Sequence, residues 1–218
     1  EHIIGDTSGK KISTTALTFL SKCTSYPGVQ FVAAHPNGYT SSDRENTFDV
    51  RYVVIHTAEG SYMGTINWFQ NPSAGVSSHY VVSKTGNITS MVCGENIAYH
   101  AGNWEYNKHS IGIEHEGFVN DPNAYTQAMY QASANLVKWL SQQYNIQLVH
   151  PNGIAPPSPL TSTGIIGHNQ VPDPNDPSKG GGINHHTDPG TYWNWTKYMA
   201  LIAGTKNDGG TGGASRRS

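Results

Sequence analysis

The sequence predicts an α/β domain in which a mixed central β-sheet is flanked by helices. Short β-branched runs such as RYVVIHT (51–57) and TGIIGH (163–168) have the length and composition of buried strands. Between and after them lie stretches with apolar residues at helical spacing. HYVVSKTGNITSMV (79–92) reads as strand, turn, strand, which adds an antiparallel pair to the strand–helix alternation.

In chain order, residues 1–35 carry one apolar patch, TTALTFL, and no readable chemistry, so they are expected to be an N-terminal extension. RYVVIHT follows as the first buried strand. In AEGSYMGTINWFQNP, Ser61 is a candidate N-cap, Ile66 and Phe69 give helical spacing, and Asn71-Pro72 stops the helix. The hairpin turns around Lys84-Thr85-Gly86-Asn87. SIGIEHEG (110–117) is a strand ending in glycine. Residues 124–144 form the clearest helix, with Met129, Ala132, Leu136, Val137, Leu140 and Tyr144 in phase and Asp121 or Asn123 as cap. A Pro-rich loop (146–163) leads to TGIIGH. TYWNWTKYMALI closes the domain as a helix with Trp195, Tyr198, Met199 and Ile202 on one side. Residues 36–203 are thus expected to form the domain and 204–218 a flexible Gly-rich tail.

Composition narrows the function. The chain has 218 residues, enough for one domain with a full core, and its 24 Gly and 12 Pro imply long loops. A formal charge of −2 with 13% charged residues argues against a nucleic-acid partner. No apolar run reaches membrane-spanning length, so no membrane partner is expected. Cys23 and Cys93 are either one disulfide or two buried thiols. With two Cys and eleven His, any metal site must rest on imidazoles and carboxylates. The surface, rich in Asn, Ser, Thr and Gly, has the look of a secreted bacterial protein.

The candidate chemistry lies in the histidines and acids. His56 and His168 each end a strand, where α/β proteins place ligands. Asp188 sits in the turn TDPG. Two imidazoles and one carboxylate leave a fourth position open on a tetrahedral zinc, as in catalytic sites. In SIGIEHEG, Gly112, Glu114 and Glu116 share one face, and Ile111, Ile113 and His115 the other. A carboxylate on such a strand needs a partner such as a metal or cation, unless the face is solvated. His79 and His100 read as structural or substrate-lining. His2, His35, His109 and His150 have polar surroundings and read as surface residues. Tyr99, Trp104 and Tyr106 either stack on sugar rings or belong to the core.

VVIHTAEG, SSHYVVSKTGNI, AYHAGNW, SIGIEHEG and GHNQV…HTDPG, in that order from about Arg51 to Leu201, resemble the zinc-dependent N-acetylmuramoyl-L-alanine amidases of the type-2 amidase family. That family extends to phage lysozyme-like amidases and animal peptidoglycan recognition proteins. The resemblance implies a single domain of that fold, acting as a monomer on peptidoglycan or muropeptides. It implies one Zn2+ held by His56, His168 and Asp188, Glu114 as the catalytic carboxylate, and His186 steadying the oxyanion. It leaves His185 a bystander, and beside it His79, His100 and Trp104 are taken as the candidate substrate-binding residues. The implied reaction is hydrolysis of the amide between N-acetylmuramic acid and L-alanine. The alternative is a non-catalytic peptidoglycan-binding module, as in relatives that lack a zinc ligand, whereas the full set is present here. A secreted or wall-bound enzyme is expected, or a phage-encoded one released at lysis. Two departures stand out. Ser78 occupies a position where some members have Tyr, and the loop between His168 and Asp188 is long and carries three glycines, as a lid would.

Overall fold

The computed structural model describes residues 23–204. TTALTFL, His2 and the tail from 205 lie outside the described residues. The strands are β1 (Gln30–Phe31), β2 (Tyr39–Thr40), β3 (Tyr52–Thr57), β4 (Tyr80–Val82), β5 (Ile88–Ser90), β6 (Ile97–Ala98), β7 (Ser110–His115) and β8 (Gly164–Gly167). The α-helices are α1 (Arg44–Thr47), α2 (Tyr62–Phe69), α3 (Trp104–Lys108), α4 (Gln127–Tyr144) and α5 (Trp195–Ala203). Six strands form one sheet in the order β1-β5-β4-β7-β3-β8, and β2 and β6 pair separately. Within the large sheet only the β4–β5 hairpin is antiparallel.

The central strands are buried on both faces because helices and loops cover both. Val53, Ile55, Ile111, Ile113 and Ile165 join Met129, Leu136, Val137 and Leu140 of α4 and Tyr198 and Ile202 of α5 in one core. On the other side Tyr52, Val54 and Ile166 pack with Tyr106 of α3. There too, Ile66 and Phe69 of α2 pack with Val81 and Met91. Each buried side chain of this size stabilises the fold by about 1.5–3 kcal/mol relative to exposure.

The long helix begins later than its apolar phase suggests. Thr126 is its N-cap: the hydroxyl accepts from the Met129 N–H and donates to the Lys84 carbonyl on the hairpin turn. Asp121 is spent instead on a local turn, its carboxylate accepting from the Asn123 N–H. Ser61 caps α2 as expected, accepting from Gly64 N–H.

The N-terminal boundary also moves. β1 pairs in parallel with β5, Ala34 is in the core, and Cys23 is disulfide-bonded to Cys93 across 70 residues of sequence. The described part of the expected extension, residues 23–35, therefore belongs to the domain. Of the histidines assigned to the surface, one is buried and another is half-buried against a ring. His109 is 4% exposed and its Nδ1–H donates to Asp49 O at 2.7 Å. His150 stacks on Trp195 with ring centroids 3.6 Å apart.

Thr126→Ala should cost about 1–2 kcal/mol in denaturant unfolding, because it removes the cap and the tie to Lys84. Asn123→Ala should stay within about 0.5 kcal/mol.

Candidate metal and catalytic site

β7, β3 and β8 are neighbours and parallel, so their C-terminal ends emerge side by side. His56 and Glu114 are the penultimate residues of β3 and β7 and stand directly opposite each other in the register. Gly167, the last residue of β8, faces Ile55, and His168 follows it. Asp188 arrives from the loop beyond. Its backbone oxygen accepts from Asn169 N–H at 2.9 Å, and its Oδ2 accepts from Thr57 N–H at 3.2 Å.

The three side chains converge. Nδ1 of His56 lies 3.3 Å from Oδ2 of Asp188, and Nδ1 of His168 lies 3.2 Å from Oδ1. One ligand atom from each falls within 4.8 Å of the others. All three are nearly buried, at 2%, 5% and 6% exposure. Burial first, then the neighbouring His168, lowers the His56 pKa to about 4, so its imidazole is the neutral, ligating form at neutral pH. Two imidazoles and a carboxylate with an open side towards the cleft are the donor set of a catalytic zinc site, and the residues fit that ion.

Glu114 reaches the same cleft of about 600 Å³, but its Oε2 is buried and has no hydrogen-bond partner. The residue as a whole is partly exposed to the cleft, with Oε2 turned away from it. Burial, followed by the charges of Asp188 and Glu59, pushes its carboxyl well above the ordinary range. His186 lies flat against His168, centroids 4.4 Å apart, and is half-exposed to the cleft. His185 has left-handed backbone (φ 53°), and its Nε2 meets Asp173 Oδ2 at 2.8 Å, away from the three converging residues.

The residues expected at the substrate divide. His79 is fully buried and does not line the cleft: Gly112 N–H donates to its Nδ1, and its Nε2 meets Asn96 O at 3.1 Å. His100 lines the cleft, but His56 and Ser110 occupy both ring nitrogens, so no nitrogen is left for a ligand. Trp104 lies beside the cleft and reaches it only through an edge contact with Tyr99. Tyr106 is core, its hydroxyl donating to Pro156 O. Ser78 is buried and its hydroxyl donates to Tyr80 O, which leaves it no access to the cleft. Sequence reasoning missed Trp68, 48% exposed on the cleft rim. The signal was available, since the helical phase of Ile66 and Phe69 leaves Trp68 off the apolar face.

Residues 46–191 match the protein family described as N-acetylmuramoyl-L-alanine amidase. The chain is 40% identical over 157 residues to N-acetylmuramoyl-L-alanine amidase A of Achromobacter lyticus, a match covering 70% of this chain and 82% of that protein. It is 32% identical over 135 residues to 1,6-anhydro-N-acetylmuramyl-L-alanine amidase AmpD of Salmonella typhimurium, covering 59% of this chain and 58% of that one. The crystal structure of a selenomethionine AmpD derivative superposes with a TM-score of 0.57 at 23% identity, over 82% of this chain and 96% of that one. That likeness carries the fold.

In the metal-free protein Glu114 destabilises the folded state wherever it must ionise. Its folded pKa lies above the unfolded value, so stability falls as pH rises above the ordinary carboxylate range. Glu114→Gln should raise the Tm of metal-free protein at pH 7–8, by about 2–4 °C for each kcal/mol recovered. The difference should vanish as pH falls well below the ordinary Glu pKa of about 4.3, where Glu114 is neutral in both folded and unfolded states. Thermal unfolding followed across that pH range checks it.

Proposed function

The chain belongs to the N-acetylmuramoyl-L-alanine amidase family, and on that premise we propose that it is a zinc-dependent hydrolase of bacterial peptidoglycan. The bond cut is the amide between the lactyl group of N-acetylmuramic acid and L-alanine. The observation that carries the reading is the complete constellation at three adjacent strand ends: His56, His168, Asp188 and Glu114.

His56, His168 and Asp188 would hold the ion. When bound, zinc supplies Lewis acidity towards the scissile carbonyl and lowers the pKa of a coordinated water towards about 7. Glu114, which lines the same cleft as the three ligands, accepts the proton of the attacking water and returns it to the leaving amine. His186, half-exposed beside His168, donates to the developing oxyanion. One such donor is worth roughly 3–4 kcal/mol. Trp68 and Tyr99 give the cleft flat apolar walls against which sugar or peptide can lie. The binding-module reading has no support in the site, because neither a ligand nor the carboxylate is missing.

Residues 23–203 are the catalytic domain in this reading, and the protein acts outside the cytoplasm, at the wall. The Cys23–Cys93 disulfide supports this, since such bonds persist in oxidising compartments.

Purified peptidoglycan digested with and without a chelator, and read by mass spectrometry, tests the activity. Free stem peptides beginning with L-alanine, released only when metal is present, are expected. New reducing sugar ends, or cuts within the peptide, would refute the bond assignment. Glu114→Gln should keep zinc and lose about 10²–10⁴ in kcat, and His186→Ala about 10²–10³. Full activity in Glu114→Gln would remove that residue as the base.

A further inference from the structure

Of the three converging residues, Asp188 owes least to the sheet. His56 lies within β3 and His168 follows directly on β8, whereas Asp188 sits in a turn of the long loop. A site residue on a loop is placed less precisely than one on a strand, unless packing and hydrogen bonds lock it. Two locks come from the neighbours already described: Asn169 N–H on Asp188 O, and Thr57 N–H on its Oδ2. A further one comes from outside the cleft. The Tyr125 hydroxyl lies 2.6 Å from Pro189 O, and a carbonyl oxygen only accepts, so Tyr125 donates. That spends the single hydrogen of the phenol. At its other contact, 2.7 Å from Thr57 Oγ1, the Tyr125 oxygen therefore accepts and the Thr57 hydroxyl donates. Thr57 thus holds the Asp188 carboxylate with its backbone. With its side chain it holds the tyrosine that grips the next carbonyl.

We propose that Tyr125 is a positioning residue, which together with Thr57 fixes the Asp188 turn so that the carboxylate faces His56 and His168 ready for a divalent cation. The inference rests on the metal reading above and extends it to a side chain that does not line the cleft. Tyr125 is itself well anchored. It stands between Ala124, fully buried against Gly117, and Thr126, the N-cap of α4. Its ring meets Trp193 edge-on, with centroids 5.0 Å apart. Outer residues that orient a ligand are commonly worth about 10–100-fold in metal affinity. Tyr130 gives an internal comparison. Its ring lies in the same aromatic cluster, 6.3 Å from Tyr125 and 4.7 Å from Trp193. Its hydroxyl also meets the backbone, accepting from Asn194 N–H at 2.8 Å, but that contact leads to the N-cap of α5 and not to Asp188.

The test uses the full chain freed of metal. It reads the zinc Kd by chelator competition, the Tm, and amide hydrogen exchange before zinc is added. Tyr125→Phe, which keeps the ring, should weaken the zinc Kd about 10–100-fold. It should also speed exchange of the Asn169 N–H that binds Asp188 O. Tyr130→Phe should lower the Tm at most, and leave the Kd and the Asn169 exchange at their wild-type values. An unchanged Kd in Tyr125→Phe overturns the proposal. So does an equal loss in Tyr130→Phe, which would make the packing of the cluster the cause. If Tyr125→Phe fails to fold, as judged by circular dichroism, Thr57→Val decides from the other side of the same contact: a weakened Kd supports the proposal and an unchanged one overturns it. The expected loss in Tyr125→Phe, in a chain whose wild type binds zinc but cuts no amide, would support this inference while sinking the proposed activity. A wild-type chain that binds no zinc would sink both.

Discussion

The in-register alignment of three parallel strands is the constraint on which the rest of the molecule depends. Val53 sits between Ile111 of β7 and Ile165 of β8, and this level is fully buried. Three residues further along, the same register sets His56 beside Glu114 and brings His168 off the end of β8. A slip of one residue would turn every one of these side chains to the opposite face. The apolar pairs therefore do more than hold the sheet together: they determine where the polar atoms come out. The antiparallel hairpin joins on the far side of β7 and leaves this adjacency untouched.

The site is built against the grain of folding. Glu114 Oε2 and His168 Nε2 are buried without partners, and several imidazoles are kept neutral by burial. Such a cluster persists only because the surroundings over-determine it. Strand alternation shows how. Glu114 points to the cleft, while the next residue, His115, points into the core, where its Nδ1–H donates to His56 O and its Nε2 meets Ser133 Oγ. One strand thus supplies a reactive group and, one residue later, a bolt that fixes the neighbouring ligand's backbone. Stability sacrificed at the cleft is recovered from α4 and α5 behind it.

Much of this was legible in the sequence, and what was not has a common cause. Short β-branched runs ending in histidine marked both strand ends, and period-two alternation assigned the faces of SIGIEHEG correctly. Asp188 was not readable from chemistry alone, since Asp-Pro-Gly is an ordinary turn, and only the family resemblance singled it out. His109 was misjudged, and His79 and His100 were left between structural and substrate-lining roles, because a histidine's role depends on what meets its two nitrogens. Those partners are often far away in sequence, as Asp49 is for His109, 60 residues off. The start of α4 was missed because Asp121 and Thr126 are both good caps, and only the tertiary contact with Lys84 decides between them. Local signals marked the elements, and long-range polar contacts chose among equal local options.

The glycine-rich loop shows the same logic at larger scale. Its three consecutive glycines suggest a lid, yet two of them are where backbones nearly touch. A Cβ at Gly180 would sit 2.0 Å from Asn169 O, and one at Gly182 would sit 2.4 Å from Ala101 O. Ile183 N–H donates to Gly102 O, and Asn169 N–H to Asp188 O. The loop is therefore docked on the segment AYHAGNW and returns from there to deliver Asp188. That segment also carries His100. One short stretch of chain thus anchors the loop that brings the carboxylate and holds His100, whose Nδ1 lies 3.0 Å from His56 Nε2. The strand ends are placed by apolar register, whereas the loop that leads to Asp188 is docked on this segment and tied to Asn169 and Thr57. A change in AYHAGNW would consequently disturb a histidine and an aspartate that lie 132 positions apart in the chain, although it touches the aspartate nowhere.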